Sequence, residues 1–229
     1  KTTLKATSGE TVVIKGDTAT GTKGGKKLFV YDRVNRKSPT LGKKAPKNAK
    51  VLFGGKGTDR FSDGKKLDGE LLKEGVVSMD SYGDFTLHLE FRTPYKPKTK
   101  PGSQDRGNSG VYIFNNYETQ ILDSFGIKGE FNFCGALYRK KPPVVNMCLP
   151  PLAWQTYDIN FTTPRFKDGK KVKNARITTR HNGVIIHDDY ELDKGTGAGG
   201  GRPEKEKGQI HLQGHGNPVR FQNIWLVEK

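Results

Sequence analysis

Only two cysteines and two tryptophans occur in 229 residues, and no apolar run approaches the ~20 residues that a membrane-spanning helix needs. Helical periodicity is almost missing as well, which argues against a helical bundle; a soluble protein is expected. Several catalytic signatures do not occur: G-x-S-x-G, a P-loop, H-E-x-x-H and an EF-hand loop are all absent, and GNSGVY is no serine elbow. Neither cysteine has the further neighbours that a zinc site requires, and no acidic spacing suits a calcium cage. No cofactor is expected, and the metal content is left unassigned. The chain opens at Lys1 without a methionine or an apolar signal segment, as a mature or trimmed form would.

What is abundant is glycine (29), proline (12) and positive charge, +16 overall. The charge is unevenly spread. Residues 1–50 hold eleven Lys and two Arg against Glu10, Asp17 and Asp32, a net +10, which leaves +6 for the rest. Lys43, Lys44, Lys47 and Lys50 alternate with Ala, Pro and Asn, with no aromatic ring between them on which a base could stack. The segment reads as a solvated basic arm rather than a nucleic-acid grip, with an anionic glycan or envelope surface as its partner class. Cys134 and Cys148 enclose a loop containing Pro142 and Pro143; one disulfide in an oxidising compartment and two free buried thiols are both open.

Strand signals run from end to end. Thr11 to Lys15 and Lys27 to Val34 read as strands around a Gly-rich turn, Gly21 to Gly25, and Lys37 to Lys50 reads as a linker to a main domain starting near Val51. In FTLHLEFR, Phe85, Leu87, Leu89 and Phe91 alternate with Thr86, His88, Glu90 and Arg92; TYDINFT and GQIHLQGHG repeat the period of two. Asn182-Gly183 predicts a tight hairpin pairing Arg176–Arg180 with Val184–His187. Residues 93–106 and 195–208 are loops by composition. The pattern predicts two packed antiparallel sheets.

The stretch GNSGVYIFNNYETQILD, Gly107 to Asp123, places Glu118, Gln120 and Asp123 just beyond an apolar run. A carboxylate, an amide and a second carboxylate so close together suit sugar hydroxyls; a solvated strand face is the plain alternative. If the polar faces share one sheet, His88, Glu90, Arg92, Glu118, Gln120, Gln213 and His215 line one cleft. Tyr117, Tyr138 or Trp154 would then supply a ring for a pyranose face. Strands of opposite sheets would send those groups to opposite sides. His215, between Gly214 and Gly216, reads as a structural hydrogen-bonding residue or a closely approached base. Asp123 has the opposite parity to Glu118 and is expected to turn outward.

The phrases YGDFTLHLEFR, GNSGVYIFNNYETQILD, GALY, LAWQTYDINF, HNGVIIHD and GQIHLQGHGNPVRFQNIWL, in that order, with VLFGGKGTDRF before them, resemble the 3-keto-disaccharide hydrolase family over about residues 51–229. The resemblance implies a concanavalin-like jelly-roll sandwich of two antiparallel sheets. It also implies an exported protein, periplasmic or secreted and envelope-associated, acting on an oxidised disaccharide or glycoside. A C3 ketone acidifies the C2 proton, so a base can start elimination of the C1 substituent, with hydration completing a net hydrolysis. Matched residue by residue, the family motifs place Glu118, His215 and Asp123 as catalytic candidates. Glu118 or His215 is the base on this reading. Arg92, Asn108, Gln120, Tyr138, Gln213 and Arg220 become substrate-binding candidates. This chain has FQNI where the family commonly has FRNI, so Gln222 replaces an expected Arg, and Phe61 stands for an early Trp. The laminarinase-like E-x-D-x-x-E reads here as E-x-Q-x-x-D, which argues against ordinary endoglucanase activity. Two other classes stay open: a non-catalytic carbohydrate-binding module and an interaction platform in an envelope assembly.

Overall fold

A computed structural model describes residues 1–57, 60–62 and 67–229; Thr58 and Asp59 of the VLFGGKGTDRF phrase lie outside the described residues. The chain divides into two compact units, Lys1–Arg36 and Lys37–Lys229. In the first, β1 (Thr2–Lys5), β2 (Glu10–Lys15), β3 (Thr18–Lys23) and β4 (Lys26–Asp32) form an antiparallel meander. The turn between β3 and β4 is made by Gly24 and Gly25, both at positive φ. Gly21 belongs to β3 instead, because the Phe29 ring packs where its Cβ would stand.

The second unit contains β5 (Lys50–Phe53), β6 (Leu67–Asp68), β7 (Leu71–Lys73), β8 (Val76–Val77), β9 (Phe85–Arg92), β10 (Ser109–Ile113), β11 (Tyr117–Ile121), β12 (Gln155–Thr162), β13 (Arg165–Lys167), β14 (Lys170–Lys173), β15 (Ala175–His181), β16 (Val184–Leu192), β17 (Ile210–Leu212) and β18 (Arg220–Glu228). A large sheet runs β16-β15-β12-β9-β18-β7-β6, with β5 also on β18, and a small one runs β11-β10-β17-β8. All their pairings are antiparallel. The β15–β16 hairpin turns on Asn182 and Gly183, at φ 50° and 81°, as that dipeptide predicts.

Period-two alternation directs Leu87, Leu89, Ile159 and Phe161 of the large sheet against Val111, Ile113, Ile121, Ile210 and Leu212 of the small one, all fully buried. Phe161 is central, with ring centroids 5.6 Å from Phe85, 5.4 Å from Phe114 and 5.3 Å from Tyr117. Phe61 joins this core, as expected for an aromatic-for-aromatic replacement. The hydroxyl of Tyr157 crosses between the sheets and donates to the Gln120 carbonyl at 2.6 Å.

The polar face of β9 is buried too, because residues 38–43 strap across it rather than forming a free linker. The Ser38 and Thr156 hydroxyls share a hydrogen bond (2.6 Å), Thr40 Oγ1 donates to Asp158 Oδ2 (2.9 Å), and the Gly42 N–H donates to Glu90 Oε1 (2.6 Å). Beneath the strap His88 Nδ1 lies 2.9 Å from Asp158 Oδ1, and its ring stacks on Trp225. A register shift in β18 between Gln222 and Trp225 lets Gln222 and Asn223 both donate to Glu90, at 2.6 and 2.7 Å. His88 and Glu90 therefore serve the strap on the large sheet and do not share a cleft with Glu118. Gln222 stands beside them.

Cys134 and Cys148 are free buried thiols, not a disulfide. They lie within hydrogen-bonding reach of each other; Cys134 also meets the Tyr157 hydroxyl, and Cys148 donates to backbone carbonyls.

Burial opposes an imidazolium at position 88, but hydrogen bonds to Asp158 and Glu90 outweigh it and hold His88 above its ordinary 6.5. Those bonds, again against burial, hold Glu90 and Asp158 below 4.5 and 3.8. A raised His adds stability below its unfolded pKa and loses it as pH climbs through the folded value. Depressed carboxylates add stability above their unfolded pKa and lose it as pH falls. The cluster contributes fully between 4.5 and 6.5. The stability gap between the native protein and His88→Gln, read from urea unfolding, is expected to be widest in that window and to narrow above it. A gap that stays flat into alkaline pH would mean that His88 acts only as a neutral hydrogen-bonding group.

Candidate active site

The β10–β11 hairpin pairs Tyr112 with Glu118 and Gly110 with Gln120, so these four positions share the face turned away from the core. Three residues, Phe114 to Asn116, connect the strands, and the first two have positive φ. Glu118 lies back across Gly110. A Cβ at position 110 would collide with Glu118 Oε1 and sit 2.9 Å from its Cγ. The second glycine of the GNSG phrase thus makes room for the carboxyl group rather than for an unusual backbone angle, which the first, Gly107, adopts at φ 78°.

Asn108, Tyr112, Glu118, Gln120, Tyr138, Arg139, Gly197, Gln213 and His215 line a cavity of about 320 Å³ over this face. That lies at the small end of the ~300–1,000 Å³ common for ligand pockets. Glu118 is 2% exposed, and its Oε2 has no hydrogen-bond partner within the described residues. Burial pushes its pKa up to about 7, against a hydrogen bond from Tyr112 that lowers it. A carboxyl titrating near neutrality with one unengaged oxygen is suited to taking a proton from a ligand.

The walls are fixed by loops. Gln104, from the loop after β9, accepts from Asn108 (3.2 Å) and Gln120 (3.1 Å) and donates to the Asn132 carbonyl (3.0 Å). The buried Thr196 hydroxyl accepts the Glu118 N–H at 2.7 Å. The Gly-rich segment around it packs tightly: a Cβ at Gly197 would enter the Tyr138 ring, and one at Gly199 would strike the Asn116 carbonyl. Tyr138 itself is tied to β11 by its N–H to the Glu118 carbonyl, 3.1 Å. Among the described residues no group of three or more His, Cys, Asp and Glu side chains is placed to hold a metal.

Of the catalytic and substrate-binding candidates matched to the family motifs, Glu118, Gln120, Asn108, Tyr138, Gln213 and His215 meet in this cavity; Tyr117, in the core, and Trp154 do not line it, and neither do His88 and Glu90. Three of the motif candidates lie elsewhere. Asp123 is buried in an ion pair with Arg106 rather than turned to solvent. Arg92 stands on the large sheet with its guanidinium 5.2 Å from the Trp154 ring centroid. Arg220 pairs with Asp68 (2.8 Å) and Glu74 (3.0 Å). Tyr112, Arg139, Gln104 and Thr196 are additions. Tyr112 could have been found from the hairpin register; the others depend on loop conformation.

Residues 48–227 match the family described as the 3-keto-alpha-glucoside-1,2-lyase-like domain. The chain is 30% identical, with a TM-score of 0.70, to a proposed glycosyl hydrolase of Parabacteroides distasonis ATCC 8503, over 81% of this chain and 85% of that one. Two further proposed glycosyl hydrolases of that organism share the fold. One is 17% identical with a TM-score of 0.57, covering 80% of this chain and 94% of its own; the other is 24% identical at 0.55, covering 79% and 99%. A comparison with curated proteins finds no match.

Two substitutions test the geometry. Gly110→Ala needs no new backbone conformation but meets the buried Glu118 side chain from Cγ to Oε1, so it should displace the carboxyl group at some cost in stability. Any reaction that depends on Glu118 should fall by about 100-fold, the scale of a misplaced catalytic group; unchanged turnover with unchanged unfolding would mean that the carboxyl position is unimportant. Tyr112→Phe removes the hydrogen bond that lowers the Glu118 pKa. The acid limb of the kcat/KM profile should move above about 7, and a limb that stays in place would separate Tyr112 from Glu118.

Proposed function

The chain belongs to the 3-keto-alpha-glucoside-1,2-lyase-like family, and from that footing we propose that it cleaves glycosides carrying a ketone at C3, with Glu118 as the base. The observation that carries this reading is the Glu118 carboxyl, held at about 7 with Oε2 unpartnered among the described residues, over a cavity of amides and two tyrosine rings.

In this mechanism Oε2 takes the C2 proton, and the electrons of the C2–H bond move onto the C3 oxygen as an enolate. Asn108 and Gln213 border the same space, and their amide N–H groups donate to that oxygen as its charge grows. Return of the electrons re-forms the ketone, builds the C1–C2 double bond and expels the C1 substituent. The departing oxygen collects a proton from His215 at the cavity mouth or from the newly protonated Glu118. Water then adds across C1–C2, hydroxyl to C1 and proton to C2, for a net hydrolysis. Tyr138 offers its face to the sugar ring, while Gln120 is held in the wall by Gln104.

An aryl 3-keto-glucoside and the unoxidised aryl glucoside, compared for aryl release, test the proposal. Release is expected from the keto substrate alone and should drop ~100-fold or more in Glu118→Gln, the scale of a lost general base. Equal release from both substrates would overturn the elimination route. Release from neither, with sugar binding intact, would leave a carbohydrate-binding module.

A further inference from the structure

Arg139 is the cation of the cavity, and among the described residues it has no carboxylate within ion-pair distance. Arg106 is neutralised by Asp123, Arg165 by Asp84, Arg176 by Asp189 and Glu191, and Arg220 by Asp68 and Glu74, whereas Arg92, Arg180 and Arg202, which do not line the cavity, share with Arg139 the lack of a carboxylate partner among the described residues. The adjacent Lys140 is paired with Asp193. Arg139 is left facing the cavity, exposed, with its guanidinium 5.4 Å from the centroid of the Tyr138 ring that would hold the sugar.

Its backbone is fixed in an unusual state. At φ 55° it occupies the left-handed region that favours glycine, held there by its N–H to the Phe131 carbonyl at 2.8 Å. A long charged side chain kept in such a conformation beside a ligand cavity fits a functional placement. The lining contains one carboxyl, Glu118, which is engaged with Tyr112 rather than with Arg139.

We infer that the site prefers glycosides bearing an anionic substituent, carboxylate or sulfate, which the Arg139 guanidinium grips as the ring rests on Tyr138. This rests on the reading of the cavity as a glycoside site and adds the class of glycoside. A planar fork of N–H donors suits the paired oxygens of either anion, and an exposed arginine that meets a ring face but no carboxylate among the described residues keeps the N–H edge of that fork free for a ligand.

The test compares aryl 3-keto-glucoside with the corresponding 3-keto-glucuronide and 3-keto-glucoside 6-sulfate, in the native protein, Arg139→Lys and Arg139→Ala. The ratio of kcat/KM for an anionic over the neutral substrate should be about tenfold or more, the scale of a charge-assisted hydrogen bond at an accessible site. It should shrink in Arg139→Lys, approach one in Arg139→Ala, and fall with added salt. The glucuronide and sulfate arms tell carboxylate from sulfate. A native ratio at or below one, or a ratio unchanged by Arg139→Ala, would overturn the inference. Binding of methyl glucoside, methyl glucuronide and methyl glucoside 6-sulfate to Glu118→Gln, by calorimetry, gives the same ratios without turnover. If no keto substrate is cleaved but anionic binding still depends on Arg139, the ketone chemistry fails and the anion preference stands; neutral and anionic sugars bound alike would sink the preference.

Discussion

The larger unit depends on one contact, the meeting of the inner faces of its two sheets around Phe161. Burying a large aromatic surface there consumes the apolar half of the central strands, and a period of two then sends each polar half outward. On the large sheet those polar residues hold down the strap of residues 38–43. On the small sheet they floor a cavity. Tyr157 ties the two together, since its hydroxyl reaches from the core to the backbone of the strand that carries Glu118 and Gln120.

Burial has opposite consequences on the two outer faces. His88, Glu90 and Asp158 lie together beneath the strap, with hydrogen bonds to each other and to Asn223, Gln222 and Gly42, so their charged forms are favoured in spite of desolvation. Glu118 is as deeply placed but has a single side-chain donor, Tyr112, and desolvation prevails. The number of partners, rather than depth, separates a cluster held in its charged form from a carboxyl held near neutrality. A buried charge without partners works against stability at pH above its pKa, which is the usual balance at a site shaped for chemistry.

Alternation made the strands legible. The Asn182-Gly183 hairpin, the β9 run and the Glu118–Gln120 pair all emerge from spacing alone, and the order of the motifs pointed to the jelly-roll sandwich. Alternation tells which residues share a face of a strand, but not which sheet the strand joins. For that reason His88 and Glu90 could be grouped with Glu118, although they lie on the other sheet. Long-range pairing was equally hidden: nothing near Asp123 or Arg220 in the chain announces that each will be spent in an ion pair. Lysine-rich spacing also made residues 37–50 look solvated, although hydroxyls and backbone groups of residues 38–42 bind the large sheet. Thr196 and Gln104 sit in loops, where no period exists to reveal them.

The contact between Gly110 and Glu118 links the histories of two positions. While the carboxyl group occupies the space above the glycine, position 110 has no freedom to acquire a side chain, although its backbone angles would tolerate one. A descendant that loses Glu118 loses that restriction at once. Related chains should therefore carry the two residues as a pair, and a side chain at position 110 should go with a smaller residue at 118 or a carboxyl group that lies elsewhere.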